Sequence, residues 1–356
     1  MHSSSLRIAD APPRVRDVPR ILIVDDSVVA RAVIARAVEA TGRFAVAGTV
    51  PNARSALCFL ETHRVDGIIL DIHMPGIDGL TALPDLIATG RGAKVLIVSS
   101  TCGEGAQATI EALALGAADT LEKPGAGGLA GNFSAAVGEK LTRLFEADPV
   151  TSAVVTPVTG QAAGSFDIVG IGASTGGIHA LSLLLREIPA GFPLPILITQ
   201  HLPASFMPYF AAQVSVLAAR PCEVATDLQR IRPGRVYIAP GDAHLRVMIS
   251  GEGTAVRLSR EPSKSGCLPS VDPMFESLAE VYGARAIGVV LSGMGRDGAS
   301  GAERIRERGG SLAVQDKDSS VVWGMPGAIA ANGLAGAILP PAEIGKLLAA
   351  RRRPGC

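Results

Sequence analysis

Aromatic residues are scarce in this chain, 4% of its 356 residues, against 41 glycines. So little ring material argues against an all-β sandwich, whereas abundant glycine suits an α/β fold with many tight strand-to-helix turns. No excess of charge is present: lysine plus arginine and aspartate plus glutamate number 33 each. Nothing therefore points to nucleic acid or an anionic membrane surface as partner. The five cysteines, Cys58, Cys102, Cys222, Cys267 and Cys356, form no C-x-x-C pair. That spacing argues against a zinc site of the ribbon or finger kind and against a disulfide framework, and makes a reducing compartment the expectation. No run approaches the roughly 20 apolar residues of a membrane-spanning helix. Residues 1–19 are polar, hold three prolines and lack the apolar stretch of a secretory signal. A soluble, cytoplasmic protein with a disordered N-terminal tail over 1–19 is expected.

What the chain has is apolar material, 47% of residues against 19% charged, enough for sizeable cores. From Arg20 to Phe145, short apolar runs alternate with stretches of helical period. Ile21–Val24, Phe44–Gly48, Gly67–Leu70, Lys94–Val98 and Ala118–Leu121 read as strands, with helices between and after them. Five βα units of this kind predict a flavodoxin-like (βα)5 domain over 20–146, its parallel sheet covered on both faces. Residues 147–165 are rich in proline, glycine, threonine and alanine and show neither period, as a linker would. The βα alternation then restarts over 166–350, a second doubly wound, mostly parallel sheet. It is interrupted at Arg235–Leu258 by a pattern that predicts an added antiparallel hairpin. The basic tail from Arg351 to Cys356 is expected to fray.

In the first half, Asp25 and Asp26 end the first strand, Asp71 the third, Ser99 the fourth and Lys123 the fifth. With strand order 2-1-3-4-5, strands 1 and 3 flank the switch point, so the three aspartates converge. Three carboxylates together repel one another. A hard divalent cation with oxygen ligands relieves this, and magnesium suits a site that keeps waters and accepts phosphate oxygens. Asp71 is then placed to attack a phosphoryl donor and form an acyl phosphate. Lys123, followed by Pro124, pairs with it, and the Ser99 hydroxyl reaches the new oxygens. Taken alone, Asp26-Ser27 is equally well read as a helix cap; the further strand-end residues favour the pocket.

The second half offers Gly172-Ala-Ser174-Thr-Gly176 after the strand Phe166–Ile171, Gln200-His201 after Pro195–Thr199, and Gly-Met-Gly-Arg-Asp297-Gly after Ala286–Leu291. The first fits a G-x-S-x-G elbow, a sharp turn that exposes the serine oxygen. It also fits a loosened dinucleotide fingerprint, but such a unit wants an acidic residue at the end of the next strand, where Gln200-His201 stands. His179 falls within the helix after the elbow and His244 begins a hairpin strand, so His201 is the base candidate. Asp297 is the orienting carboxylate. Its rivals are Asp272, placed as a helix cap, and Asp242, in a turn. Ser174, His201 and Asp297 on one rim make an acyl-transfer triad, which needs no cofactor. The chain order Ser, His, Asp differs from that of α/β-hydrolases. The alternative is a non-catalytic second domain that only binds a protein partner.

Residues 20–145, with Val-Asp-Asp-Ser, Asp71-x-x-Met-Pro-Gly-x-Asp-Gly and Lys-Pro, resemble a response-regulator receiver domain. The resemblance implies phosphate transfer to Asp71 from a histidine kinase, with Asp25 and Asp26 binding magnesium. Thr120 stands where receivers usually carry an aromatic switch residue, and His73 where an acidic or amide residue is more usual. Residues 166–345 resemble the catalytic domain of the chemotaxis response-regulator methylesterases, the CheB proteins. The matching stretches are Gly-Ala-Ser-Thr-Gly-Gly, Gln-His-x-Pro, Pro-Ser-Val-Asp, Gly-Met-Gly-x-Asp-Gly-Ala-x-Gly and Val-Val-x-Gly-Met-Pro. This implies hydrolysis of glutamate methyl esters on methyl-accepting chemotaxis receptors with release of methanol, and deamidation of receptor glutamines. Ser174 is then nucleophile, His201 base and Asp297 its orienter; the Met294 backbone N–H is an oxyanion donor and Thr175 lines the site. Gly327 occupies a position where a basic residue is frequent. A monomer is expected, with a linker long enough for the unphosphorylated receiver to cover the triad.

Overall fold

The computed structural model describes residues 18–99, 104–123, 130–145, 161–162, 165–350 and 353–354. Most of the expected N-terminal tail and linker, Cys102, Pro124, Cys356 and the Ser99 side chain lie outside the described residues. Five strands, β1 (Arg20–Val24), β2 (Ala45–Val50), β3 (Gly67–Asp71), β4 (Lys94–Ser99) and β5 (Asp119–Glu122), form a parallel sheet in the order β2-β1-β3-β4-β5. Helices α1 (Val28–Ala40), α2 (Ala53–Thr62), α3 (Gly79–Gly90), α4 (Glu104–Leu115) and α5 (Ala130–Phe145) alternate with them. Short polar side chains start three of these helices. Ser27 Oγ accepts from Ala30 N, Asn52 Oδ1 from Ser55 N and Asp78 Oδ1 from Thr81 N, each satisfying a donor the helix itself leaves unpaired. β3 is buried along its whole length because helices cover both faces of the sheet. Truncating Ile69 there to alanine would cost about 2–5 kcal/mol.

The second half builds a seven-stranded sheet. Its chain order is β6 (Gln161–Ala162), β7 (Ile168–Ala173), α6 (Gly177–Arg186), β8 (Ile196–Gln200), α7 (Met207–Ala218), β9 (Cys222–Val224) and β10 (Val236–Ile238). The hairpin β11 (His244–Ser250) and β12 (Gly253–Ser259) follows. Then come α8 (Val271–Tyr282), β13 (Ala286–Val290), α9 (Ala299–Glu307), β14 (Ser311–Gln315), α10 (Gly324–Ala331), β15 (Ala337–Leu339), α11 (Pro341–Ala349) and β16 (Arg353–Pro354). The large sheet runs β15-β14-β13-β7-β8-β10-β9 with every pair parallel, while among the described residues β6 pairs only with β16. The chain moves outward from β7 through β8 and later returns on the other side of β7 at β13. The switch point therefore lies between β7 and β13, and a ligand crevice belongs outside their carboxyl ends.

The predicted antiparallel hairpin is present, with one difference. Val236–Ile238 joins the parallel sheet as β10, and β11–β12 forms a separate two-stranded sheet packed on α8, where Val247 N donates to Ser277 Oγ at 2.9 Å. Pro240-Gly241 ends β10 before the hairpin begins. Among the described residues no helix is long and apolar enough to cross a membrane.

The two halves touch. α4 packs on α6 and α7, and the contacts are tied by hydrogen bonds. Gly176 N donates to Ala118 O at 2.9 Å, Thr175 Oγ1 to Asp119 Oδ2 at 3.1 Å, and Lys94 Nζ to Val321 O at 2.8 Å. His179 Nδ1 lies 2.9 Å from Ala114 O, which also accepts from Ser182 Oγ at 3.3 Å.

Candidate active site and phosphoacceptor pocket

Ser174 is the first residue after β7, where the chain turns sharply into α6. The turn is held by main-chain groups: Ser174 N donates to Ser292 O at 3.0 Å, and Gly177 N to Ser174 O at 2.8 Å. Gly176 has φ +75°, a left-handed conformation that favours glycine, and a Cβ on it would lie 2.8 Å from Ser292 Oγ. Across the turn, a Cβ on Gly293 would lie 2.9 Å from Ser174 Cβ. These glycines let the loop after β13 close against the serine. Gln200, at the end of β8, donates from Nε2 to Ser174 O at 3.0 Å and so braces the turn from the other side.

His201 follows Gln200, its N–H bonded to Ala173 O at 3.1 Å. Its Nε2 lies 2.7 Å from Asp297 Oδ2. Since a carboxylate only accepts, Nε2 carries a proton, and in the neutral ring the lone pair is on Nδ1. Asp297 is 2% exposed and held from several sides. Oδ1 accepts from Ser270 Oγ at 2.6 Å, and Oδ2 also accepts from Val271 N at 2.7 Å, at the first turn of α8. Burial by itself would raise the Asp297 carboxyl, but the His201, Ser270 and Val271 donors outweigh it and hold it at about 2. Burial would likewise lower His201, yet the bond to Asp297, with the neighbouring Cys267 thiol, raises it to about 9. Among the described residues no hydrogen bond joins Ser174 Oγ to His201. Both line one cleft of about 450 Å³, with Thr175, Met294 and Cys267 from the same half and Asp119, Lys140 and Arg143 from the first.

The rival residues fall elsewhere. Asp272 sits within the first turn of α8 rather than capping it, and its Oδ1 accepts from Gly301 N at 2.8 Å. Burial and the nearby Asp297 raise it to about 6. Asp242 pairs with exposed Arg260 at 2.8 Å, and His244 is fixed between Glu261 O and Ser270 N. His179 faces the first half through Ala114 O. Sequence reasoning gave no role to Ser270, Gln200, Cys267 or the Asp119–Lys140 pair. Ser270 lay in view within Pro-Ser-Val-Asp and Gln200 within Gln-His-x-Pro, whereas no motif or periodicity marks the others.

At the other switch point, Asp25, Asp26 and Asp71 bring carboxylate oxygens within 4.8 Å of one another. Lys123 Nζ lies 2.6 Å from Asp71 Oδ2 and 3.6 Å from Asp25 Oδ2. Asp71 Oδ1 accepts from His73 N at 3.1 Å, and the His73 side chain is exposed. Asp25 Oδ2 is buried with no hydrogen-bond partner. Burial raises the Asp25 carboxyl above its ordinary value, against the pull of Ser27 N and Lys123. An orphaned buried oxygen inside an all-oxygen cluster fits a small hard cation such as magnesium.

Fold and sites together define a class: a phosphoacceptor receiver joined to an α/β domain carrying a serine–histidine–aspartate set. Comparison with known proteins makes the class specific. The family model described as CheB methylesterase matches residues 169–348, and that of the response regulator receiver domain residues 21–128. The chain is 39% identical over 380 residues to a protein-glutamate methylesterase/protein-glutamine glutaminase 1 of Paramagnetospirillum magneticum, covering 96% of this chain and 99% of that one. A protein of Caulobacter vibrioides named protein-glutamate methylesterase/protein-glutamine glutaminase 2 is 38% identical over 344 residues, 94% of this chain and 99% of that one. The crystal structure of the Thermotoga maritima CheB methylesterase catalytic domain matches with TM-score 0.51 and 35% identity, over 52% of this chain and 99% of that chain. The chain belongs to the CheB methylesterase family and carries that family's receiver domain.

Proposed function

We propose that the chain is a phosphorylation-controlled hydrolase of glutamate methyl esters on methyl-accepting receptors, releasing methanol, and that it also deamidates receptor glutamines. The relatives' names supply the substrate class. The observation that carries the assignment to these residues is the 2.7 Å His201 Nε2–Asp297 Oδ2 bond in a cleft shared with Ser174. Ser174 Oγ attacks the ester carbonyl while His201 Nδ1 takes its proton. Charge developing on the carbonyl oxygen is met by the Met294 N–H and the N-terminus of α6. His201 gives the proton to the departing methoxy oxygen, which leaves as methanol, or to the amide nitrogen of a glutamine, which leaves as ammonia. Water then cleaves the acyl-serine by the same route and leaves a glutamate carboxylate. Asp297 holds the imidazole in the useful tautomer and stabilises the imidazolium.

Control rests on the first half. Asp71 receives a phosphoryl group from a histidine kinase and Lys123 pairs with it; Ser99 is the switch hydroxyl. Bound magnesium, held by Asp25, Asp26 and Asp71, would neutralise the pocket and hold phosphoryl oxygens. The docked receiver narrows access to Ser174, since Asp119, Lys140 and Arg143 form part of the cleft wall, and phosphorylation weakens that contact. Methanol release from methylated receptor, with and without a small phosphodonor, tests the whole reading. A binding protein without esterase activity would release none.

A further inference from the structure

Cys58 is exposed and Cys222 half-buried away from the cleft, whereas Cys267 is half-buried in the cleft wall beside His201. His201, Cys267 and Asp297 offer donor atoms that all lie within 4.8 Å of one another. Nitrogen and sulfur donors suit a borderline-soft ion of the zinc class, in contrast to the all-oxygen set at Asp25, Asp26 and Asp71. Local spacing hides this cluster, because the fold gathers it from the ends of three separate segments.

One distance takes Asp297 out of the ligand set. Two bonds of about 2.0–2.1 Å at a tetrahedral ion hold their ligand atoms about 3.3 Å apart. The Nε2–Oδ2 separation is 2.7 Å, too short for an ion between them. Asp297 cannot easily swing, since its oxygens also accept from Ser270 and Val271. It therefore keeps the role that carboxylates commonly take behind a ligating histidine, fixing one ring nitrogen while the other meets the metal.

We propose that His201 and Cys267, with Asp297 orienting the histidine, form an inhibitory site for a thiophilic divalent cation of the zinc class. The inference rests on the reading of His201 as the base. Cys267 gives up its thiol proton to solvent as the metal–sulfur bond forms, His201 Nδ1 gives up its own where the ring is protonated, and the ion takes the imidazole lone pair that Ser174 needs. Water in the cleft completes the coordination. Magnesium does not compete, being bound through oxygen and reluctant to shed its waters.

The test uses the full chain in excess magnesium, which keeps the acidic pocket occupied. Methanol release from methylated receptor is titrated with zinc chloride for wild type, Cys267→Ala and Cys267→Ser, each normalised to its own metal-free rate. Binding is read separately with cobalt(II) as the probe, through the thiolate-to-cobalt charge-transfer absorption. Wild type should be inhibited, with recovery on adding a chelator, and each variant should need at least about tenfold more zinc. The cobalt–thiolate band should appear in wild type and vanish in Cys267→Ala. Equal zinc sensitivity in all three proteins overturns the proposal, as does a cobalt–thiolate band without inhibition by zinc. If metal-free wild type released no methanol, the esterase reading would fall, while presence or absence of the cobalt band would still decide the site.

Discussion

Asp119→Ala should raise the ester-hydrolysis rate of the unphosphorylated chain, although Asp119 belongs to the receiver and to no step of the chemistry. Its Oδ2 accepts from Thr175 Oγ1, the residue after Ser174, and its Oδ1 holds Lys140 at 2.8 Å. A hydrogen bond to a charged group contributes about 1.5–3 kcal/mol, and at this partly exposed site the lower figure applies. A loss of about 1.4 kcal/mol is a tenfold change in an equilibrium. If the open arrangement is about 1% populated at rest, Asp119→Ala brings it to about 10%. Phosphorylation that shifts the balance by roughly 3 kcal/mol brings it to about half, a gain of some fifty-fold. The bonds from Gly176 to Ala118 and from His179 to Ala114 survive the substitution, so the variant should stay below the phosphorylated chain. The assay is initial methanol release from methylated receptor by wild type, Asp119→Ala, and a fragment beginning near Gly164. A fragment of this kind is reasonable because the matched Thermotoga maritima structure is of the catalytic domain alone. The expected order of rates is fragment, then Asp119→Ala, then unphosphorylated wild type. A fragment slower than the unphosphorylated chain, and far slower than the phosphorylated one, would refute obstruction and show that the receiver activates directly.

Ser174→Ala and His201→Ala should each remove nearly all turnover, and the double variant should be little worse than either, because the set acts as a unit. Near-wild-type hydrolysis by Ser174→Ala would sink the assignment. Asp297→Asn should lower kcat by orders of magnitude while circular dichroism reports an intact fold. Asp71 should take an alkali-labile phosphoryl label from a small phosphodonor only with magnesium present, and stable labelling of Asp71→Asn at the wild-type rate would make the acidic pocket structural. The pH dependence follows from His201, raised to about 9. A base works when unprotonated, so kcat/KM should climb with pH and level off only near that value; a profile already flat at neutral pH contradicts the raised histidine.

Much of the site could be read from sequence because each element announces its end. The apolar runs of β7, β8 and β13 stop where Ser174, Gln200-His201 and the Gly293–Gly298 turn begin, and a parallel sheet must deliver such residues to one rim. The same reasoning gathered Asp25, Asp26 and Asp71 at the other switch point. The short strand β10 was harder, because three residues give no period by which to tell a sheet member from half of a hairpin. Asp272 resembled a cap because a carboxylate at a helix start serves the dipole whether it stands at the cap or one turn in.

The contact between the halves left no sequence mark for a physical reason. Three of its acceptors, Ala114 O, Ala118 O and Val321 O, are main-chain carbonyls that any residue would supply. Their usefulness comes from where the helices and strands end, not from side-chain identity. The supports of Asp297 behave alike: Ser270 Oγ and Val271 N reach it only because α8 begins beside the loop after β13. A residue whose role depends on its own chemistry is visible in the sequence, whereas one whose role depends on placement appears only once the chain is folded. Cys267 belongs to the second kind. As a letter it is a solitary thiol without a partner at metal-binding spacing; in the folded chain its sulfur lies with His201 and Asp297 inside a 4.8 Å cluster. Substituting it is therefore the sharpest way to separate what this chain's fold adds from what its motifs already declare.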